Sequence, residues 1–513
     1  MKFEWEYTDN KSDSLFTQII KNRNYSDEFL TGGYSLDVDL KQMKDLGKAA
    51  ERIIKAVKNK EKIIIFGHDD LDGITSTYIL FHLLEKIGSQ NHYYYIPNRL
   101  IENHGLQDSF IEKVKTGDFD LVITVDGGIS SRQAVDKINR LDCEVIITDH
   151  HLIPKELPDA YAIVNPKQEQ CNFPDKMIAG VGVTFFLVKQ IAENLDMKMD
   201  KNYLFWTAVG TVADKVPLLK LNRSIVKKTL QEWADFDDRT VKLLNNQFWN
   251  SKSNYKKMAL INSIINILSN GRRANGKNDA LKLLITPYSE KSKIYKKLRE
   301  AYKKNSERID KLNNLLESLE INERDYYIYF DRKKRIKFEM LGYAASYLTK
   351  KFKIPIIVMQ QRDSKVSAEA RGQDGFNFVK AFEYCQDFLE QFGGHKKAAG
   401  FTTSLNLIQD FQDNFSHYVK LHKNQIRKNK KIVIDAVCDA KLYDVQKFLQ
   451  QDLTILEPYG SGNPLPKILL KNVDKNTLQK LDVDYLHDFD NSIDVIIKKN
   501  YERYQLIDYK ANR

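Results

Sequence analysis

Cysteine is scarce in this chain. Four occur in 513 residues (Cys143, Cys171, Cys385, Cys438), widely spaced and without a Cys-x-x-Cys pair, which argues against a disulfide framework and a thiolate zinc site. A reducing compartment is the expected setting. Also missing is any apolar run of membrane-spanning length. The first residues, Met1-Lys2-Phe3-Glu4-Trp5-Glu6, lack the basic-then-apolar order of a secretion signal. The expectation is a cytoplasmic protein without a membrane partner. Nor is there an acidic excess: 80 Lys+Arg outnumber 69 Asp+Glu, a net charge of +11. The surplus gathers at Lys291–Lys304, Arg332–Lys337 and Lys423–Lys431. Such clustering suggests a polyanionic partner, although a dispersed surplus would serve only solubility.

What is present is enough for two or more domains at this length, with 42% hydrophobic and 29% charged residues, as in ordinary globular proteins. The most informative stretch is 62–74. Ile63, Ile64, Ile65 and Phe66 read as a strand buried on both faces, as in a parallel sheet. The pattern then flips to His68, Asp69, Asp70 and Asp72, with Gly73 and a helical run behind them. An N-capping Asp accounts for one of these carboxylates. Three beside an imidazole repel each other unless a cation compensates.

The same arrangement recurs. Leu121–Val125 ends in Asp126-Gly127-Gly128, and Val145–Thr148 ends in Asp149-His150-His151. A helix-like run from Trp206 to Val212 leads into Asp214. Strands alternating with helices predict a parallel, doubly wound sheet, whose ligand site lies at the carboxyl ends of the strands. A donor set of Asp and His without Cys suits Mn²⁺ or Mg²⁺ better than zinc. The number of donors exceeds the needs of one ion. Two ions about 3.5–4 Å apart would use them all, and phosphoester hydrolysis is the reaction class such a pair favours.

The rest of the chain reads as follows. Residues 1–60 are expected to be helical, with Met43, Leu46, Ala49, Ile53 and Val57 on one apolar face. Residues 61–220 form the unit just described, and 221–324 a helical connector. Within it, Ile294, Leu298, Tyr302, Ile309, Leu312, Leu316 and Leu319 mark a long amphipathic helix that sets the distance between two domains. A second α/β unit covers 325–425. It contains Gly393-Gly394-His395-Lys396-Lys397, which suits either a phosphate-binding loop or a glycine turn before a solvated basic helix. Short strand candidates in 430–513 fit a small OB-like barrel. There Tyr501 and Tyr504 serve as base-stacking or as core residues.

Together these residues resemble the DHH phosphoesterase superfamily. The resemblance rests on His68-x-Asp70-x-Asp72-Gly73, Asp126-Gly127-Gly128, Asp149-His150-His151 and Gly210-Thr211-Val212-Ala213-Asp214, in that order. Gly393-Gly394-His395 with Ala398-Ala399-Gly400 is similar to the glycine-rich motif of the associated DHHA1 domain. Ile96-Pro97-Asn98-Arg99, Asn270-Gly271-Arg272 and Pro458-Tyr459-Gly460-x-Gly462-Asn463-Pro464 resemble stretches typical of the RecJ-type single-stranded-DNA exonucleases.

The resemblance implies a fold and a set of roles. The fold is α/β: a parallel-sheet DHH domain, a long helix, a smaller α/β DHHA1 domain and a small C-terminal OB-like β unit. His68, Asp70, Asp72, Asp126, His150 and Asp214 would hold two Mn²⁺ or Mg²⁺ ions, with Asp126 the bridge. His151 would face the scissile phosphate and Asp149 would orient the imidazoles. Arg99, Arg272, Arg371, Gly394 and His395 would bind substrate. The implied activity is removal of mononucleotides from the 5′ end of single-stranded nucleic acid, DNA favoured over RNA, in repair, recombination or replication. Single-strand-binding or replisome proteins are the implied protein partners. The alternatives are a short-RNA or nucleotide phosphoesterase, whose members are usually smaller, and a non-catalytic replication scaffold, which would have lost acidic residues all present here. Two departures stand out. His68 occupies a position where bacterial relatives typically carry Asp, and of the Gly-Ser-x-Arg stretch of the second domain only Arg371 matches, behind Ala368-Glu369-Ala370.

Overall fold

The computed structural model describes residues 4–8, 14–31, 34–98, 102, 105–244, 254–272, 278–321, 325–362, 364–373, 375–427, 431–442, 444–481, 492–500 and 503–511. Strand β1 (Glu4–Glu6) and helices α1 (Leu15–Arg23) and α2 (Asp27–Thr31) open the chain and lead to α3 (Leu46–Lys58). Then follow β2 (Ile63–Gly67), α4 (Leu71–Lys86), β3 (His92–Tyr95), α5 (Asp108–Gly117), β4 (Leu121–Val125), α6 (Arg132–Asn139), β5 (Glu144–Thr148) and β6 (Ala162–Val164). The five strands β2–β6 form one all-parallel sheet in the order β3-β2-β4-β5-β6.

The unbroken apolar strands make sense in this setting, because alternate side chains enter two different layers. Ile63, Ile65, Ile123, Val125 and Ile146 face α3, α4, α7 (Gly180–Asn194) and α8 (Asn202–Asp214). Ile64, Phe66, Val122, Val145 and Ile147 face α5 and α6. The chain leaves β2 toward β3 on one side and returns to β4 on the other. That reversal opens a crevice at the carboxyl ends of β2 and β4, the place where open α/β sheets bind ligands.

Helices α9 (Lys220–Gln231), α10 (Arg239–Leu244), α11 (Asn254–Leu268) and α12 (Asp279–Ile285) extend the first core. The long helix is α13 (Tyr288–Glu317), about 45 Å at 1.5 Å per residue. Ile294 and Leu298 near its start belong to the first core, and Leu312 and Leu316 near its end to a second. Each end of the helix is thus stapled to a different core by its own apolar residues.

The second α/β unit contains β7 (Tyr327–Phe330), α14 (Leu341–Phe352), β8 (Ile356–Arg362), β9 (Lys365–Arg371), α15 (Phe378–Tyr384), β10 (Gln391–His395), β11 (Ala398–Ser404) and α16 (Ile408–Leu421). Its sheet has the order β10-β11-β9-β8-β7, parallel only between β7 and β8. Lys396 and Lys397 form the turn of the β10–β11 hairpin, so the helical alternative for the residues after the glycines does not hold. Gly394 explains the choice: its φ is +131, and a Cβ there would stand 2.5 Å from the Ala398 carbonyl oxygen.

The C-terminal β unit comprises β12 (Lys431–Val433), β13 (Ala436–Asp439), β14 (Lys467–Val473), β15 (Ile493–Asn500) and β16 (Arg503–Ala511). β13 to β16 form a four-stranded mixed sheet, and β12 pairs in parallel with β1. No pairing of β13 with β16 closes the sheet among the described residues. Tyr504 packs at the edge of this unit's core, which accounts for it without base stacking; Tyr501 lies outside the described residues.

Residues 1–60 are not one helical unit. The segment from Leu40 onward, with Met43 and then Leu46, Ala49 and Ile53 of α3, docks on the first parallel sheet. Leu15 and Ile19 of α1, with Phe29, are buried instead among Ala436, Phe448, Ile468 and Val495. Gln18 fixes the attachment, donating to the Val437 carbonyl (3.0 Å) and accepting from its N–H (2.9 Å). All four cysteines are buried free thiols.

Candidate metal centre

The turn after β2 carries the first donors. Asp70 caps α4 by accepting the Gly73 N–H (3.0 Å), and Gly73 is required because a Cβ there would meet the His68 carbonyl oxygen at 2.5 Å. His68 Nδ1 lies 3.0 Å from Asp70 Oδ2 and 3.9 Å from Asp126 Oδ2. Burial pushes the Asp70 carboxyl up, but the hydrogen bond and charge of His68 outweigh it and hold the group below the usual range. Asp72, in the first turn of α4, is fully buried and reaches the start of α7, where it accepts the N–H groups of Gly180 (2.8 Å) and Val181 (2.7 Å). A carboxylate at a helix N-terminus is well placed electrostatically.

Asp126 ends β4 in the left-handed region (φ 56), a conformation that non-glycine residues keep only where the surroundings enforce it. A Cβ on Gly180 would fall 2.4 Å from Asp126 Oδ1, so glycine is what lets α7 approach. His150 follows β5. Its Nε2 stands 3.2 Å from Asp126 Oδ1, 3.8 Å from Asp214 Oδ2 and 3.9 Å from Asp72 Oδ2. Asp214 arrives from the C-terminal end of α8.

Electrostatics separate these groups into roles. Burial, then the charges of Asp72 and Asp70, push the Asp126 carboxyl well up. Burial, then Asp214 and Asp70, does the same to Asp72, and burial with Asp70 raises Asp214. His150 is pushed down to about 4 by burial and by the neighbouring His151, and its ring hydrogen-bonds the Ile178 backbone. The imidazole is therefore neutral. With one ring nitrogen committed to that backbone, Nε2 presents its lone pair to the carboxylates. Asp126 Oδ1, buried, has no hydrogen-bond donor among the described residues. Lone pairs that face one another in a buried pocket are what a divalent cation satisfies. Three donor groups have ligand atoms within 4.8 Å of one another: His68, Asp70 and Asp126; Asp72, His150 and Asp214; and Asp126, His150 and His151. Hard oxygen donors mixed with imidazole fit Mn²⁺ or Mg²⁺.

Asp149 stands behind this set. It is buried and accepts four hydrogen bonds: from the Ile129 N–H (3.0 Å), the His150 N–H (2.6 Å), the His151 N–H (2.9 Å) and His151 Nδ1 (2.7 Å). Burial raises its pKa, and His151 more than reverses the effect. His151 is raised in turn, first by that hydrogen bond. Its ring is half-exposed, with Nδ1 occupied and Nε2 left for a ligand.

Three neighbours were not assigned from the sequence. Buried Asp69 takes no part in the donor groups; its carboxylate holds Arg272 Nε at 2.8 Å, which brings Asn270-Gly271-Arg272 to the rim. Lys167 Nζ donates to the His150 carbonyl, and Asn165 Nδ2 to the His151 carbonyl (3.1 Å). The signal existed, because Asn165-Pro166-Lys167 follows β6 as the other polar turns follow their strands.

The remaining substrate candidates lie elsewhere. Arg371 and His395 share one row of the second sheet, through the pairs His395–Ala398 and Ala398–Arg371, and cross-strand partners face the same side. Arg371 Nη1 is held by Glu369 (2.8 Å). Among the described residues, no hydrogen bond or ion pair links Arg371 or His395 to the carboxylate cluster. Arg99 lies outside the described residues.

Residues 62–211 match the DHH family, N-terminal domain, and residues 325–421 match the DHHA1 domain. The chain carries a DHH domain followed by a DHHA1 domain. The resemblance read from the ordered acidic motifs is thereby borne out, as is the α/β architecture that it implied. Among curated relatives, the chain is 30% identical over 453 residues to the single-stranded-DNA-specific exonuclease RecJ of Bacillus subtilis, covering 87% of this chain and 56% of that protein. It is 29% identical to the RecJ of Thermus thermophilus, covering 83% of this chain and 62% of the relative. The chain thus spans less than two thirds of the length of either. Its fold is similar to that of RecJ from Thermus thermophilus in complex with Mn²⁺ (TM-score 0.78, 21% identity, 99% of this chain and 80% of the other). An exonuclease RecJ bound to manganese superposes with a TM-score of 0.65 at 26% identity, over 76% of this chain and 98% of the other. No described helix is long and apolar enough to cross a membrane.

Proposed function

We propose that this chain is a two-metal exonuclease that hydrolyses single-stranded DNA from its 5′ end and releases mononucleotides. The observation that carries the proposal is the sharing of Asp126 and His150 between adjacent donor groups, the arrangement that a bridged pair of ions requires. The relatives named as RecJ, and the manganese in the 26%-identical structure, support the same reading. When bound, the ions supply an activated water and neutralise phosphate charge.

The chain's own residues do the rest. His68, Asp70, Asp72, Asp126, His150 and Asp214 hold the ions. Asp149 fixes the His151 ring so that Nε2 faces the scissile phosphate and can hydrogen-bond it as charge builds. Asp69 pins Arg272 at the rim as a phosphate contact. Arg371, Gly394 and His395 take a second phosphate on the DHHA1 sheet, and Arg99 belongs to the same set by its motif. Residues 61–220 and 325–425 act as the two walls of the groove. A DNA substrate makes the cytoplasm the working compartment, with single-strand-binding or replisome proteins as partners.

The test is digestion of single-stranded DNA and RNA labelled at either terminus, with Mn²⁺ and with chelator. Mononucleotides released from the 5′ end of DNA, only with metal, are expected. Digestion that persists in chelator sinks the metal reading. Hydrolysis confined to dinucleotides or short RNA selects the short-RNA phosphoesterase instead.

A further inference from the structure

One face of the second sheet changes character across a single strand. On β8, Ile356 and Val358 are buried under α14, among Leu341, Ala344 and Leu348. Their cross-strand neighbours on β9 are Arg371 and Glu369, which share that face. Beyond these come Ala398 and Gly400 on β11, then His395 and Gly393 on β10. Outward from Glu369 the row is therefore bare. A Cβ on Gly393 would meet nothing within 4 Å, and one on Gly400 would stand 3.7 Å from Glu369 Oε1. Glycine in adjacent strands lets a ligand lie directly on the backbone. Glu369 and Arg371 border this shelf under the start of α14: a Cβ on Gly342 would be 2.8 Å from Arg371 Nη2 and 3.3 Å from Glu369 Oε2. The first turn of α14 has no acidic residue of its own, so Glu369 supplies the negative charge that a helix start favours.

The two oxygens of this carboxylate are used unequally. Oε2 holds Arg371 Nη1 (2.8 Å), which also donates to the Ala370 carbonyl (2.9 Å). Oε1 lies toward Gly400 and has no hydrogen-bond or ion-pair partner among the described residues. A strand end laid on the shelf thus meets a guanidinium whose charge is already offset, with a carboxylate oxygen beside it. A phosphodiester brings one negative charge, which Arg371 and His395 can still share. A terminal phosphomonoester brings about −1.5 to −2 at neutral pH, and it must displace Glu369 or lie against it, a like-charge contact that costs affinity. A terminal hydroxyl brings no charge and can donate to Oε1. Lys396 and Lys397 in the adjoining turn are exposed and screened by solvent, so the half-buried pair sets the local sign. We propose that Glu369 is a specificity determinant: it makes the DHHA1 shelf accept a 5′ end that carries a hydroxyl and reject one that carries a terminal phosphate. The inference rests on the exonuclease reading above and adds which form of strand end that enzyme takes.

The test uses the full chain and two oligothymidylates that differ only in a 5′-hydroxyl or a 5′-phosphate, each carrying a fluorophore at the 3′ end. Hydrolysis is measured as kcat/KM with Mn²⁺, and binding by anisotropy in chelator. The wild-type chain should prefer the hydroxyl strand by at least about tenfold, the scale of one like-charge contact at a half-buried site. Glu369→Gln keeps the size and the hydrogen-bonding capacity and removes the charge, so it should abolish or reverse that preference. The ratio compares two strands on one protein sample, so a loss of folded protein cancels and a purely structural role for Glu369 would leave it unmoved. Should the Gln variant fail to fold, Glu369→Ser is expected to show the same change. A wild-type preference for the 5′-phosphate, or a ratio identical in wild type and variant, overturns the proposal; metal-dependent digestion of both strands in that case leaves the exonuclease reading intact. Binding that favours the hydroxyl strand in wild type and not in Glu369→Gln, with neither strand hydrolysed, supports the role of Glu369 and overturns the exonuclease reading instead.

Discussion

Asp126 and His150 end two adjacent parallel strands, and their Oδ1 and Nε2 atoms stand 3.2 Å apart with no hydrogen bond between them. Parallel pairing of β4 with β5, which matches Val125 to Thr148, brings both residues to the same end of the sheet, one and two positions beyond that pair; the left-handed turn at Asp126 and the Ile178 contact of His150 aim them at one point. The pair is built for a third party.

Replacing Asp126 by Asn tests this directly, because Asn tolerates the left-handed backbone. Metal-dependent hydrolysis should fall by at least about a thousandfold, the scale expected when several kcal/mol of charge stabilisation are removed. In chelator the same variant should melt at a higher temperature than wild type, since one of several mutually repelling buried carboxylates is gone. Wild-type nuclease rates in the variant would remove Asp126 from the centre.

Asp149→Asn should leave metal binding and DNA binding largely intact while lowering kcat by about 10–100-fold, the usual effect of losing a partner that orients a ligand or catalytic imidazole. The measurement is a comparison of kcat with KM and of Mn²⁺ affinity by calorimetry. A large loss of metal affinity with kcat preserved at saturation would assign Asp149 to the ion instead.

Gly180→Ala places a methyl group where Asp126 Oδ1 now lies, at 2.4 Å. Overpacking of this kind costs about 1–3 kcal/mol, and here it falls on the metal side of the interface between α7 and β4. Lower thermal stability together with weaker Mn²⁺ binding is expected. Gly182→Ala, whose nearest neighbour would be an ordinary 3.5 Å away, serves as the control and should be close to neutral.

A pH effect is expected away from the centre, at His82. Its ring hydrogen-bonds Tyr203 (3.0 Å), and burial, then the charge of Lys86, lowers its pKa below the ordinary 6.5. The unfolded chain therefore takes up a proton first as pH falls through 6.5, and stability declines until the folded form protonates too. Above 6.5 the full stability is present. His82→Gln should flatten the acid limb of melting temperature against pH as pH falls below 6.5; an identical limb in both proteins would locate the titration elsewhere.

The parts of the site that were readable in the sequence share one property: each is local. An apolar run ending in Asp or His announces both the strand and the donor at its carboxyl end, and β2, β4 and β5 behave this way. What could not be read depends on partners far away along the chain. Asp72 caps a helix 108 residues later, and Asp69 holds an arginine 203 residues away; the sequence shows only that both are acidic. The β10–β11 hairpin was ambiguous because Gly-Gly-His-Lys-Lys satisfies a turn before either a strand or a helix. The docking of α1 carries no local signature at all, since an amphipathic helix records that it packs and not against what.

Arg223 shows how far that docking reaches. It is buried, stacks on Phe29 (3.9 Å to the ring centre) and donates to the carbonyls of Ile455 and Leu456, so the helix-bearing N-terminal segment, the DHH unit and the C-terminal unit meet at one guanidinium. During synthesis α1 leaves the ribosome early, yet the surface that shelters Leu15 and Ile19 is made more than 400 residues later. At about 5–20 residues per second, this helix waits tens of seconds with its apolar side uncovered. Its apolar residues come only in the pairs Leu15-Phe16 and Ile19-Ile20, separated by Thr17-Gln18 and followed by Lys21, Asn22 and Arg23, so the uncovered stretch holds no long apolar run.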